Sequence, residues 1–384
     1  MRVAIDSWTL TNRFRHFGTY VYTRHLISEF KQLAAQDPAL EFCLFASDDD
    51  SNDANSVEPS TRFGLSRTSL WKHQRLWRMG GVAYAAARAK ADLLFSPTPN
   101  VFPIGPVPVI STIHDAIPSM MPAKWSKVWA LLRFMTASSA KRSLAIITDS
   151  EWSKKDLVQL YGLPESKVSV VYLGYDKNVY RAGVGSQAES SSLRRKLGIE
   201  KPYIFHHGKI QPRKNLPRLI AAYRLLMSRN HNLDLDLVLV GGLGWDYDEV
   251  VRGAGERPGQ GRVILPGALS DAEIAVLIRS ATLVVIPTLY EGFCLPMVEA
   301  MACGAPTIAS RASCLPEVSG NLLRYFDPFS IEDIASCMEQ VLEDDALREE
   351  LGRKGKERAE TFDWTQCARE TLNVFRREMQ NGRD

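Results

Sequence analysis

The sequence predicts an α/β protein built from two doubly wound domains, each a parallel sheet covered by helices. Three observations carry this. The chain has 384 residues, more than a single ordinary core holds. Short β-branched runs alternate with helical patterns from end to end, as in parallel sheets wrapped by helices. A stretch from Gly174 to Ser192, rich in glycine and serine, interrupts that alternation and reads as a hinge followed by a mobile loop.

Taken in order, the first half offers six strands: Val3–Ile5, Phe42–Ala46, Leu93–Phe95, Val109–Ile113, Ala145–Thr148 and Val168–Leu173. The second half offers six more: Tyr203–His206, Leu237–Val240, Val263–Leu265, Leu283–Ile286, Thr307–Ala309 and Leu322–Phe326. The expected domains are residues 1–175 and 176–363. At the end, Asp363 is placed to cap a helix with Gln366 completing a capping box. Ala368, Leu372, Phe375 and Met379 then share one face, so this last helix must dock on one of the two domains.

Composition narrows the class. With 45% apolar and 24% charged residues the chain reads as globular, and no apolar run approaches the roughly 20 residues of a membrane span. The opening residues Met1–Asp6 read as a short strand, with no signal-peptide pattern. The six cysteines (Cys43, Cys294, Cys303, Cys314, Cys337 and Cys367) include no C-x-x-C pair, so reduced, buried thiols in a cytoplasmic protein are expected. Residues 1–180 carry 21 Lys and Arg against 16 Asp and Glu, whereas the remainder carries 26 against 28. Seven of the basic residues fall between Arg62 and Lys90 with no acid among them, interleaved with Trp71, Leu76 and Trp77. A basic first half suits an anionic lipid surface, a phosphate-bearing acceptor or nucleic acid.

Four stretches carry chemistry. Tyr290-Glu291-Gly292-Phe293-Cys294-Leu295-Pro296 follows a strand and runs into a helix containing Glu299 and ending near Gly304. Pro296 suits the first helical turn, and the amides of Phe293, Cys294 and Leu295 would then point from a helix N-terminus toward a polar or anionic ligand. His207-Gly208-Lys209-Ile210-Gln211-Pro212-Arg213-Lys214-Asn215 also follows a strand. Asn215 suits the N-cap of the next helix, and three cations converge where a diphosphate would be held and stabilised as it leaves. A solvated basic turn is the alternative. Ile113-His114-Asp115 ends a strand in a His–Asp pair, and Gly18 lies in the loop after the first strand, where glycine permits close backbone approach. No G-x-G-x-x-G opens a helix: Gly241-Gly242-Leu243-Gly244 lacks the third glycine.

Together these stretches resemble the retaining glycosyltransferases of family 4, whose signature is an E-x7-E pattern, here Glu291 to Glu299. Cys294 replaces the usual glycine, and Lys209 stands where the family more often has arginine. Thr148-Asp149-Ser150, Val171–Asp176 and Phe362-Asp363-Trp364 extend the resemblance along nearly the whole chain. It implies the GT-B architecture, two Rossmann-like domains facing a central cleft, with the C-terminal helix (364–384) crossing back to the first domain. It also implies roles. Glu299 binds the ribose hydroxyls. Glu291 and His114 act at the donor sugar. Lys209 and Lys214 neutralise the diphosphate, with Arg213 nearby, and Gly18 approaches it. The amides of Phe293, Cys294 and Leu295 complete the donor site.

The reaction implied by this resemblance is transfer of a hexose, mannose from GDP-mannose by first choice, to a glycan or lipid-linked oligosaccharide. No cofactor and no metal are expected: fixed cations stabilise the departing diphosphate, and Asp48–Asp50 lie in a polar surface stretch. Nucleic acid is not an expected partner. The basic stretch is expected to give weak peripheral attachment to anionic lipid at the inner membrane face. A nucleotide-sugar epimerase of the same architecture, and a non-catalytic two-domain sugar-binding protein, are the competing readings.

Overall fold

A computed structural model of the chain describes residues 1–10, 18–47, 63–68, 80–99, 105–120, 127–183, 187–255 and 261–381. The centre of the basic stretch, residues 69–79 with Trp71, Leu76 and Trp77, therefore lies outside the described residues, as do Asp48–Asp50 and residues 184–186. The chain divides into two compact units, Met1–Gly174 with Asp363–Asp384, and Tyr175–Phe362.

The first unit holds a sheet of seven parallel strands: β1 (Arg2–Asp6), β2 (Glu41–Ser47), β3 (Phe63–Thr68), β4 (Leu93–Ser96), β5 (Val109–Thr112), β6 (Ala145–Thr148) and β7 (Val168–Val170). Their spatial order is β3-β2-β1-β4-β5-β6-β7. The expectation of six is corrected by β3, which pairs in register from Phe42↔Phe63 to Ser47↔Thr68. Its sequence Phe-Gly-Leu-Ser-Arg-Thr is no apolar run, because an edge strand satisfies its backbone on one side and need not be buried on both faces.

The second unit holds six parallel strands: β8 (Tyr203–His207), β9 (Asp236–Val240), β10 (Val263–Gly267), β11 (Leu283–Ile286), β12 (Thr307–Ser310) and β13 (Arg324–Phe326). Their order is β10-β9-β8-β11-β12-β13. Central strands are near-continuous apolar runs buried on both faces, such as Leu283–Ile286, as helix-covered parallel sheets require. The serine run expected in a mobile loop is instead helical, within Gln187–Lys196. Glu189 in its first turn and Arg194, Arg195 and Lys196 in its last complement the helix dipole, and Leu193 is buried.

The last helix, Trp364–Asn381, docks on the first unit. Trp364 stacks on His25 with centroids 4.9 Å apart, and Phe375 packs on Phe95 at 5.0 Å. Thr365 donates to Glu29 (2.8 Å), and Arg376 pairs with Asp37 (2.9 Å). Asp363 caps this helix through the amides of Thr365 and Gln366. The Gln366 side chain does not complete the expected capping box; it donates forward to Glu370 (2.6 Å), an i,i+4 partner on the same face. Gly174 sets the fit. A Cβ there would lie 2.3 Å from the Trp364 nitrogen, far inside van der Waals contact.

Candidate active site

In a doubly wound sheet, ligands lie beyond the carboxyl ends of the strands where the strand order reverses. In the second unit that point is β8, flanked by β9 and β11. The loop leaving β8 is Gly208–Asn215, and the loop leaving β11 runs through Glu291 to the helix Leu295–Ala302. The two strands pair directly, Ile204 with Leu283 and Phe205 with Val284. The two stretches singled out in the sequence are thus neighbours because their strands are.

The loops lock onto each other through charge. Glu291, almost fully buried, is paired by Arg213 and by Lys214, whose Nζ lies 2.6 Å from Oε1. Thr288 Oγ1 lies 3.0 Å from both Glu291 Oε1 and the Arg213 carbonyl, and its single proton serves one of them. The Glu291 amide donates to Ser313 Oγ (3.0 Å). Burial pushes the Glu291 carboxyl up, but the Arg213 and Lys214 cations outweigh it and hold it at about 2. The carboxylate is therefore ionised throughout the physiological range.

Glu299 has the opposite environment. Burial, reinforced by Asp271, raises its carboxyl to about 8. Its neighbour His207, with Nε2 3.5 Å from Oε2, supplies no counter-charge. Burial, with His206 and Lys214 nearby, lowers that imidazole to about 3, and the neutral ring faces the Pro296 carbonyl (3.3 Å). Lys209 is partly buried, and burial lowers its ammonium.

Asn215 corrects an expectation. It occupies the position before the helix Leu216–Arg229, but in a left-handed conformation (φ 58°) with no side-chain cap. Its amide nitrogen donates to the carbonyls of Pro287 (3.1 Å) and Pro328 (2.7 Å), so it ties three loops together. Asparagine tolerates this backbone better than most residues. Cys294 has the same conformation, φ 71°, before the helix Leu295–Ala302. The side chains of Phe293 and Cys294 are buried, and Phe293 packs edge-on against Phe362 at 5.2 Å. What these residues offer a ligand is backbone at a helix N-terminus.

Sequence reasoning missed the brace behind the cationic loop. Gly241 and Gly244 follow β9, and a Cβ on either would lie 2.1 Å from the Gly208 carbonyl oxygen or 2.4 Å from that of Ile210. Their bare backbones let the Ile210 amide donate to the Gly242 carbonyl (3.0 Å) and the Gly244 amide to the Ile210 carbonyl (2.8 Å). The signal was present, three glycines in four residues after a strand, and their role is to hold Lys209 and its neighbours.

In the first unit, His114 follows β5. The carboxylate that orients it is Asp149, not the adjacent Asp115. Nδ1 lies 2.8 Å from Asp149 Oδ2, and Asp115 instead accepts from the Ile117 amide (2.9 Å). Neighbouring strands explain the exchange: Thr112 pairs with Ile147, so residues just beyond both ends meet. His114 Nε2 faces the Pro97 carbonyl (3.2 Å). Burial lowers the imidazole, but Asp149, with Asp115 and the Pro97 carbonyl, more than compensates and raises it. Gly18 opens the helix Gly18–Gln36, and a Cβ there would meet nothing within 4 Å.

Two doubly wound units, with a buried, cation-held carboxylate and a helix N-terminus at a strand-order reversal, define a glycosyltransferase of the GT-B class. Comparison with known proteins identifies the family. The family described as Glycosyltransferase Family 4 matches residues 22–179, and that described as Glycosyl transferases group 1 matches residues 189–358. The chain belongs to the family-4 glycosyltransferases. It is 29% identical over 271 residues to O-antigen chain mannosyltransferase B of Escherichia coli, covering 70% of each chain. It is 28% identical to the serotype-specific mannosyltransferase WbdA of Escherichia coli over 73% of this chain, but spans only 34% of that protein. To D-inositol 3-phosphate glycosyltransferase of Nocardioides it is 32% identical over 60% of this chain and 53% of the other. Among solved structures, HepE of Anabaena in complex with UDP and glucose superposes with a TM-score of 0.73 at 20% identity, covering 98% and 99% of the two chains. WaaG, a glycosyltransferase involved in lipopolysaccharide biosynthesis, does so with a TM-score of 0.67 at 15% identity over 97% and 99%.

Proposed function

We propose that the protein is a retaining, metal-independent hexosyltransferase that moves mannose from GDP-mannose to a glycan or lipid-linked glycan. The observation that carries this reading is the Arg213–Lys214–Glu291 cluster beside the N-terminus of the helix Leu295–Ala302. Departure of a nucleoside diphosphate builds negative charge, and fixed cations and helix amides stabilise it without reorganising. The ionised Glu291 carboxylate accepts hydrogen bonds from the donor sugar's hydroxyls. Glu299 takes the ribose hydroxyls.

The choice of mannose is supported by the mannosyltransferases among the relatives, and a glycan acceptor by the O-antigen chemistry in one of their names. HepE, seen with UDP and glucose, keeps uridine donors in the test. We place the enzyme in the cytoplasm with weak peripheral attachment to the inner face of the membrane; no described helix is long and apolar enough to cross one. A thermal-shift panel of GDP, UDP, ADP and dTDP, followed by transfer from the matching mannose and glucose donors, tests the reading. Stabilisation by GDP and transfer of mannose are expected. Stabilisation by UDP alone overturns the donor assignment, and an epimerised donor with no transferred sugar overturns the transferase.

A further inference from the structure

In the sequence, Arg213 stands beside Lys209 and Lys214 as one of three cations converging on a single loop. The geometry points elsewhere: we propose that Arg213 is a positioning residue for Glu291, and that Lys214 alone of the two faces the diphosphate. This rests on the glycosyltransferase reading above.

Arg213 is fastened at both its ends. Its carbonyl accepts from the Leu289 amide (2.7 Å) and lies 3.0 Å from Thr288 Oγ1, which pins the start of the loop that presents Glu291. Its guanidinium pins the end of that loop. Nη1 donates to the Tyr290 carbonyl (3.3 Å) and pairs with Glu291 Oε2. With the Gln211 amide oriented oxygen-first, Nε and Nη2 both donate to it at 2.7 and 2.8 Å. The planar fork is thus held against two loops, and turning it toward a phosphate breaks contacts on both. Lys214 differs. Its ammonium carries three donors, and Glu291 takes one. Gly208, lacking a side chain, leaves room beside Nζ: a Cβ there would sit 3.3 Å away.

Arg213 is not the sole charge near Glu291. Lys214, His206 and the Cys294 and Cys314 thiols also interact with it electrostatically. Arg213 is nonetheless the largest cation contribution holding the carboxyl low. Removing it leaves burial opposed by Lys214 alone, and the Glu291 carboxyl rises.

The test compares Arg213→Gln, Arg213→Lys and Lys214→Ala by calorimetry with GDP, with UDP as the second probe, and by donor turnover across pH. In Arg213→Gln, diphosphate affinity is expected to change by less than about threefold. Turnover should fall about 100-fold as the carboxylate loses its placement, with a new acid limb where wild type is flat. Arg213→Lys restores the charge without the fork and is expected to recover part of that loss, and it replaces the glutamine variant if that one fails to fold. Lys214→Ala is expected to lose affinity by roughly 10- to 100-fold, the worth of a charged hydrogen bond. An Arg213 variant that loses GDP or UDP affinity as Lys214→Ala does, or that keeps wild-type turnover and pH profile, overturns the proposal. Carboxyl carbon titration by NMR, assigned with Glu291→Gln, keeps the question separate from the enzymatic one. A Glu291 signal that does not move upward in Arg213→Gln refutes the positioning role even if no sugar is transferred.

Discussion

Replacing Glu299 by glutamine tests the electrostatics of the site most directly. Glutamine keeps the shape of the protonated acid and removes the titration. The folded protein carries the Glu299 carboxyl at about 8, against an ordinary 4.5. A carboxyl raised on folding contributes stability that is complete below its unfolded value and is lost as pH rises through its folded value. At about 1.4 kcal/mol per pH unit, ionising Glu299 in the folded chain costs roughly 4 to 5 kcal/mol at most. Wild type and Glu299→Gln should therefore melt together near pH 4.5, and the variant should become steadily more stable than wild type up to about pH 8, with a constant gap above it.

Function runs the other way. On the role proposed for Glu299, two ribose hydroxyls donate best to an ionised carboxylate, so nucleotide binding at pH 7 should release close to one proton from wild type and none from the variant. Thermal melts from pH 4.5 to 9, with calorimetry in two buffers of different ionisation enthalpy, measure both. A stability gap independent of pH refutes the claim that burial sets the carboxyl. Binding enthalpies that agree between the buffers refute its role as the ribose acceptor.

Four further outcomes are expected. Lys214→Ala should lower turnover by about 100- to 1,000-fold, and wild-type transfer should survive EDTA; activity lost in EDTA and restored by magnesium or manganese contradicts the cation clamp. Asp149→Asn should lower the His114 imidazole below its wild-type value, since burial is then opposed only by Asp115 and the Pro97 carbonyl, as histidine NMR titration will show. Gly174→Ala should destabilise the chain by at least about 1 to 3 kcal/mol, read in urea melts, because its Cβ would overlap the Trp364 nitrogen. A thiol reagent at pH 7.5 should label almost no cysteine in the native protein and all six in denaturant: Cys294 and Cys303 are pushed to about 12 and Cys337 to about 11 by burial.

Much of the fold was legible because central parallel strands are dense apolar runs, and twelve of the thirteen described strands fall where short apolar or β-branched runs were expected. What escaped depends on partners far along the chain. β3 escaped because edge pairing asks little of side chains. Asn215 looked like a helix cap because capping is local, whereas its actual acceptors, the carbonyls of Pro287 and Pro328, are 72 and 113 residues away. The serine run looked like a loop, and only Leu193 in the core and the charge gradient along the helix reveal otherwise. In the site, the E-x7-E spacing located both carboxylates. The sequence does not say that one is clamped by cations and the other is buried with Asp271 near it, since that depends on which loops the paired strands bring together.

Lys214 acts on both carboxyls, downward in each case. Its buried ammonium pairs with Glu291, pulls Glu299 downward against burial, and helps to keep His206 and His207 neutral, both at about 3. A neutral His207 cannot pair with Glu299, which is one reason that carboxyl stays high. A nucleoside diphosphate arriving at Lys214 would bring negative charge beside all four groups at once. It would weaken the hold on Glu291, while its ribose hydroxyls gave Glu299 a reason to ionise. On the proposed donor site, donor binding and the protonation of the two glutamates would be linked through one cation. The turnover lost on removing Lys214 measures that whole linked set, and does not partition into the contribution of a single contact.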